Sequence, residues 1–347
     1  MMISGFSMVR NATKLYYPIK ASIESILPIV DEFVIALGKG DADDYTLEEI
    51  QKINSDKIKI VYTEWDLDKY TGGSEYAHQT DIAKEHCKGD WLFYLQSDEG
   101  IHEKYPGGSE YAHQTDIAKE HCKGDWLFYL QSDEVIHEQY LDTIKNRCDE
   151  LLYNKAVEGL LFKYKHFWGD YSHYIISHAW YPKEIRIIRN NPEIHSWRDA
   201  QSFRRIPGFN GNYFQKEETF KLKVAAVDAT VFHYGWVRPP VMMQKKRVSF
   251  ESHMQGDEKA NILFQEEPDM FNYGNLERLC VFKESHPEVM KDFIKRFDWE
   301  LELYPHNKNV KKHKHDKFKY RMLTFLEQKI LGGKQIAGFR NYELIDL

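Results

Sequence analysis

One helix-and-strand unit is written twice in this chain, letter for letter. Residues 72–99 and 107–134 both read GGSEYAHQTDIAKEHCKGDWLFYLQSDE, 28 identical positions at a spacing of 35. Solenoid arrays need about three or more repeats and tolerate divergence between them. Two identical copies therefore point either to recent tandem duplication of a single unit or to an artefact of sequence assembly. In the second copy Ser109 suits a helix N-cap, Glu110 the first turn and Gly124 a C-cap. Trp126–Leu130 is a continuous apolar run, the pattern of a strand covered on both faces of a parallel sheet. Ser132, Asp133 and Glu134 stand where that strand ends. Open α/β sheets bind ligands beyond the carboxyl ends of their strands, so this acidic tip is either a site or a turn after a core strand. Both copies cannot fill one central sheet position, so one must be an extra or displaced strand. The second copy leads directly into the downstream half, which favours Asp133 as the working residue and Asp98 as a redundant twin.

The rest of the first half alternates strand and helix. Ile3–Val9 reads as a strand ending at Arg10-Asn11, and Pro18 opens a helix with Ile19, Ile23, Ile26 and Val30 on one face. Glu32–Leu37 is a second strand, followed by the Asp-rich loop Asp41–Asp44, after which Thr46 and Glu49 make a capping-box pattern. Lys57–Tyr62 is a third strand. Such alternation predicts a doubly wound α/β sheet flanked by helices. Further strands are expected at Val157–Tyr164, Glu184–Arg189 and Ala225–Phe232, the last running into His233-Tyr234-Gly235-Trp236. From Pro239 onward the chain reads mainly as helices, giving a sheet domain over 1–238, with duplicated units at 72–105 and 107–140, and a helical region over 239–347.

At 347 residues the chain can bury a large core. A net charge of −7 argues against nucleic acid as a partner. Its four cysteines, two of them the same residue in the two copies, show no disulfide or zinc spacing, and no apolar run is long enough for a membrane span. A cytoplasmic protein is expected. The basic run Lys308–Arg321 is either a solvated helix face or a site of peripheral contact with anionic lipid. No GxGxxG follows the first strand and no GxxxxGK[ST] occurs, so a bound nucleotide would need its phosphates neutralised by other means, such as a divalent metal on strand-end carboxylates.

These features together resemble the family 2 glycosyltransferases, whose fold is GT-A. The resemblance rests on the polar Asn11 after the first strand, the Asp41–Asp44 loop after the second, Gly124-Asp125-Trp126, and Gln131-Ser132-Asp133-Glu134 where that family carries an Asp-x-Asp metal motif. Here the first Asp is Gln131, and Asp133 is the direct metal ligand that the resemblance implies. It further implies that His233 completes the coordination of Mn or Mg, and that Asp199 takes the acceptor proton. Arg10, Asn11, Asp41, Asp44 and Gln131 would hold the nucleotide.

The implied activity is inverting transfer of a sugar from a nucleotide-diphosphate donor to a saccharide or lipid-linked acceptor of the cell envelope. In such a reaction the cation stabilises the departing diphosphate and one carboxylate serves as base. The alternative is a GT-A-like protein that binds a sugar or sugar nucleotide without transferring it, for which Gln131 and the duplication both speak.

Overall fold

The computed structural model describes residues 3–63, 91–96, 126–131, 133–197, 202–210, 215–255, 262–265, 267–303, 312–336 and 340–347. The first half gives β1 (Ile3–Val9), α1 (Ile19–Ile26), β2 (Glu32–Gly38), α2 (Thr46–Gln51), β3 (Ile58–Thr63), β4 (Trp91–Gln96) and β5 (Trp126–Gln131). Next come β6 (Glu134–Ile136), α3 (Leu141–Leu151), β7 (Gly159–Trp168), β8 (His173–Ile175), β9 (Lys183–Arg189), β10 (Ile194–Trp197), β11 (Ser202–Arg205) and the long β12 (Phe220–Trp236). The remainder contains α4 (Pro240–Gln255), β13 (Cys280–Val281), α5 (Lys291–Ile294), α6 (Glu300–Leu303), α7 (Phe318–Lys329) and β14 (Tyr342–Leu344). The molecule is a mixed α/β sheet flanked by helices, as its sequence pattern predicts.

Along the main path the strand order is β10-β11-β12-β7-β9-β5-β4-β1-β2-β3. β3, β2, β1, β4 and β5 run parallel, β9 runs against β5 and β7, and β12 is parallel to β7. Two reversals restore direction, so β12 points the same way as β1 and β5. The carboxyl ends of β1, β2, β5 and β12 therefore share one edge of the sheet, where α/β proteins place their ligands.

The duplicated strands lie side by side. β4 pairs β1, while β5 pairs β4 in the register Phe93↔Phe128 through Gln96↔Gln131. Copy one thus occupies the slot beside β1, and copy two stands one strand further out, against β9.

Hydrophobic spacing explains the flanking helices. Ile19, Ile23 and Ile26 form one stripe of α1 and are buried with Phe33 and Ile35 of β2 and Phe162 of β7. Burying each such side chain contributes about 1.5–3 kcal/mol. The capping box expected at Thr46 and Glu49 is replaced by other contacts. Tyr45 is the N-cap, the Thr46 hydroxyl accepts from Ala12 N–H (2.8 Å) and donates to Asp44, and Glu49 pairs with Lys52 and Arg296. Thr46 ties two loops together because the loop after β1 offers it the amides of Ala12 and Thr13, which outcompete its own helix.

The described C-terminal residues share a core with the sheet. Phe271, Tyr273, Met290 and Trp299 cluster with Phe167, Trp168 and Tyr234. Trp299 Nε1 donates to Gly169 O at 2.9 Å and Trp168 Nε1 to Tyr273 O at 2.8 Å, satisfying both indoles inside that core. β14 pairs with β12 and β13 with β8.

Candidate active site

Asp133 is brought to its place by a three-residue strand. After β5 the chain turns and β6 pairs antiparallel with β12, in the register His233↔Glu134. The amide of Tyr234 donates to the Asp133 carbonyl at 2.7 Å, which fixes the turn. Successive side chains then point oppositely, so Asp133 and Glu134 enter two different environments.

Both are buried, and their partners differ. Asp133 Oδ2 accepts from Lys246 Nζ of α4 at 3.3 Å and lies 3.9 Å from the Arg238 guanidinium. Its Oδ1 has no hydrogen-bond partner among the described residues and lies 3.6 Å from His233 Nε2. Burial alone would push this carboxyl up, but Lys246, His233 and Arg238 outweigh it and hold it below the ordinary 3.8. Asp133 is therefore an anion at neutral pH.

The histidine opposite is neutral. Burial lowers His233 despite Asp133 and Glu134 nearby, and lowers His166 further. His166 Nε2 lies 2.8 Å from the Tyr181 carbonyl, which accepts and so assigns the proton to Nε2. His166 Nδ1 must then accept from His233 Nδ1, 3.0 Å away. The relay leaves His233 Nε2 with a bare lone pair facing the unpartnered oxygen of Asp133.

The β12 backbone passes close to this meeting point. A Cβ on Gly235 would stand 2.5 Å from Asp133 Oδ2 and 2.6 Å from His233 Nε2, so only glycine fits there. Two lone pairs 3.6 Å apart suit a small divalent cation with bonds of about 2.1 Å. Among the described residues no group of three or more His, Cys, Asp or Glu could hold a metal, so water or ligand oxygens would have to complete the shell.

The β1 loop reaches the same place. Arg238 NH1 donates to the Leu15 carbonyl, its guanidinium lies 4.3 Å over the Tyr17 ring, and Lys246 Nζ lies 5.2 Å over that ring. Upstream, Asn11 adopts a left-handed φ of 55°, a conformation Asn tolerates, and its Oδ1 accepts from Asp41 N–H at 2.9 Å. Lys14 holds Asp41 at 2.6 Å and Asp43 at 2.9 Å, and Arg10 donates to Lys39 O at 3.0 Å. Asp44 Oδ1 accepts from the hydroxyls of Thr13 and Thr46. The structure thus gathers Arg10, Asn11, Asp41 and Asp44 into one pair of interlocked loops, and gathers Asp133 with His233. Gln131 closes β5 opposite Gln96. Asp98 and Asp199 lie outside the described residues.

Three participants are invisible to sequence reasoning as site residues: Arg238, Lys246 and His166. Lys246 sits between Lys245 and Arg247 and reads as part of a solvated helix face. The buried pair behind Asp133 is equally hidden. Glu134 accepts from Arg186 Nε and NH2 at 2.9 and 2.8 Å and from the Tyr164 hydroxyl at 2.8 Å.

Glu184, beside that pair, has no cation of its own among its hydrogen bonds. Its Oε1 accepts from Ile185 N–H and from Ser202 Oγ, and burial pushes its carboxyl from the ordinary 4.5 up to about 7, against the pull of Arg186. The folded state therefore binds more protons than the unfolded one between those values. The stability this contributes is complete below about pH 4.5 and lost as pH rises through about 7. Glu184→Gln keeps the acceptor and removes the titration. Chemical denaturation should find the variant more stable than the parent at pH 8 by about 3 kcal/mol, with no difference near pH 4. Parallel pH profiles of the two proteins would refute this.

No family model matches the sequence, and no curated protein matches it. Among solved structures the chain is similar to S. aureus TarS. The 1–349 form in complex with UDP-GlcNAc aligns at 14% identity over 76% of this chain and 71% of that one, with a TM-score of 0.32. The same form in complex with UDP gives 15%, 76%, 70% and 0.28. Against the structure named simply TarS, the chain spans 42% of that length at 13% identity and a TM-score of 0.28.

Proposed function

We propose that this chain is a nucleotide-sugar-dependent glycosyltransferase. One observation carries the reading. At the shared carboxyl edge of the parallel strands, a single buried carboxylate, Asp133, is surrounded by Lys246, Arg238 and two neutral histidines. Counted alone, this cluster has one more positive than negative charge, inside a chain whose net charge is −7. A diphosphate suits it, because bond cleavage puts negative charge on the leaving group where Lys246 and Arg238 can receive it.

Asp133 Oδ1 and His233 Nε2 would hold Mn or Mg, with phosphate oxygens among the remaining ligands. The cation would act as a Lewis acid on the departing diphosphate. The chain's own residues do the rest. His166 fixes the tautomer of His233, Lys246 neutralises Asp133 Oδ2, and Tyr17 stacks under both cationic side chains. The interlocked Asn11 and Asp41–Asp44 loops form the wall on which a nucleoside would rest. Asp199 is the proposed base for the acceptor hydroxyl, and a single base with in-line attack gives inversion. The acceptor would be a saccharide or a lipid-linked saccharide.

A panel of UDP-, GDP-, CMP- and dTDP-sugars tests this. One nucleoside-diphosphate donor class should release its nucleotide, with at least a hundredfold loss on chelation of divalent metal, the several kcal/mol such an ion supplies. Lys246→Ala should lower that release by about tenfold to a hundredfold. Ligand-induced thermal stabilisation without release from any donor would make the protein a binder and sink the enzymatic reading.

A further inference from the structure

The helix α7 is packed inside out. Its inward face carries Tyr320, Thr324 and Glu327. Glu327 is 1% exposed, hydrogen-bonded to His178 Nδ1 at 2.6 Å and accepting from Ile336 N–H at 2.7 Å. Thr324 Oγ1 accepts from the His178 amide at 2.9 Å and donates to Tyr320 O at 2.7 Å. The outward face carries Phe318, Met322 and Phe325 at the i, i+4, i+7 spacing of one helical stripe, with Phe318 79% and Phe325 60% exposed. Ile330 and Leu331 extend the exposed apolar strip past the helix end. A helix on a globular protein ordinarily turns its apolar stripe to the core and its charges to water. Here the polar face is satisfied inside, so reversing the helix would strand Glu327 and expose nothing better.

The charges around this stripe have one sign. Within residues 312–336, Lys312, Lys317, Lys319, Arg321, Lys329 and Lys334 are exposed, while both acidic side chains, Asp316 and Glu327, are buried. An apolar ridge rimmed by cations matches an anionic bilayer surface, where aromatic and aliphatic tips enter the acyl boundary and ammonium groups meet headgroup phosphates. Another soluble protein surface would need an apolar groove with an acidic rim to do as well. No helix among the described residues is long and apolar enough to cross a membrane, so the contact is one of lying on the surface.

We propose that α7 and the Ile330-Leu331 turn form an interfacial anchor for anionic lipid membranes. The anchor is wired to the site: Gln335 Nε2 donates to Trp180 O at 3.0 Å, and the Trp180 ring lies 4.9 Å from His166. If the transferase reading also holds, a lipid-linked acceptor would meet the site from this side.

Flotation with vesicles tests the anchor without reference to transfer. The full chain should bind phosphatidylcholine vesicles doped with phosphatidylglycerol, and bind pure phosphatidylcholine at least tenfold less. High salt should weaken binding to the anionic vesicles. Lys319→Gln, Arg321→Gln and Lys329→Gln together should lower the partition coefficient by about a hundredfold, at roughly fivefold per charge. Phe318→Ser with Phe325→Ser should abolish flotation while far- and near-ultraviolet circular dichroism stay unchanged, since both rings lie outside the core. Equal binding to neutral vesicles, flotation unaltered by the double serine variant, or no flotation would each overturn the proposal. So would a concentration-dependent dimer that the serine variant converts to monomer, because a second copy would then be the occupant.

Discussion

Under the proposed transferase function, Asp133→Asn should lower turnover by at least a thousandfold, while Asp98→Asn should leave it within about twofold. The two residues occupy identical sequence surroundings, so the contrast isolates position in the fold. Asp133 follows β5 directly into β6, and β6 lays it against the end of β12 beside His233. Asparagine can still accept from Lys246 through its amide oxygen, so the loss of stability should stay at about 1.5–3 kcal/mol, the worth of one hydrogen bond to a charged group. The charge opposite His233 Nε2 disappears, however, and with it the pairing of carboxylate and imidazole that suits a divalent ion. Manganese binding followed by electron paramagnetic resonance should therefore fall along with turnover. Affinity for a nucleoside diphosphate in the absence of metal should hold or improve, since Lys246 and Arg238 remain. The opposite pattern, with Asp98→Asn damaging and Asp133→Asn tolerated, would move the site to the first copy. Undiminished transfer by Asp133→Asn would end the mechanism outlined above.

The sheet was largely legible because its strands are continuous apolar runs between turn residues. Ile3–Val9 appears as β1 with the same ends, and Trp126–Leu130 as β5 with one residue added. β12 is far longer than its apolar centre suggests, running Phe220–Trp236 around the expected Ala225–Phe232. Its first residues alternate exposed lysines with buried partners, and its last, His233–Trp236, mix a histidine and a glycine with aromatics, and neither pattern reads as core strand in isolation. β6 carries no period at all in three residues, yet it brings Asp133 to His233. Lys246 is hidden because a cation in a basic run ordinarily faces water, and only the packing of α4 against the β1 loop turns it inward; Arg238, alone between Val237 and Pro239, belongs to no motif. The reversed face of α7 is a harder case. Local amphipathicity assigns Phe318, Met322 and Phe325 to a core, and a buried Glu327–His178 pair across 149 residues decides the opposite. Tertiary partners override local pattern where a charge can be satisfied only one way round.

Arg186→Met should destabilise the protein by about 3–5 kcal/mol, the cost of leaving one member of a buried ion pair without the other. Glu134 and Arg186 are almost wholly inaccessible to water, and the carboxylate accepts two guanidinium bonds and the Tyr164 hydroxyl. The guanidinium also donates to Ile185 O and lies 5.3 Å over the Tyr164 ring. Methionine fills much of that volume but supplies no donor, so the buried carboxylate would lose both guanidinium bonds and the charge that balances it. Urea denaturation should show the drop as a lower midpoint with an unchanged slope. Such pairs are seldom the most stable filling of their space, and replacing all members by apolar groups is often neutral or better. Glu134→Leu, Arg186→Met and Tyr164→Phe combined should accordingly recover most of the loss. Transfer should stay depressed in the combined variant, because Glu134 adjoins Asp133 and its bonds to Arg186 and Tyr164 pin the turn that aims the Asp133 carboxylate. Recovery of stability without recovery of turnover would separate the two roles: the pair holds Asp133 in register with His233 more than it holds the fold together. If the single substitution costs under about 1 kcal/mol, or the combined variant regains full turnover, the pair does neither.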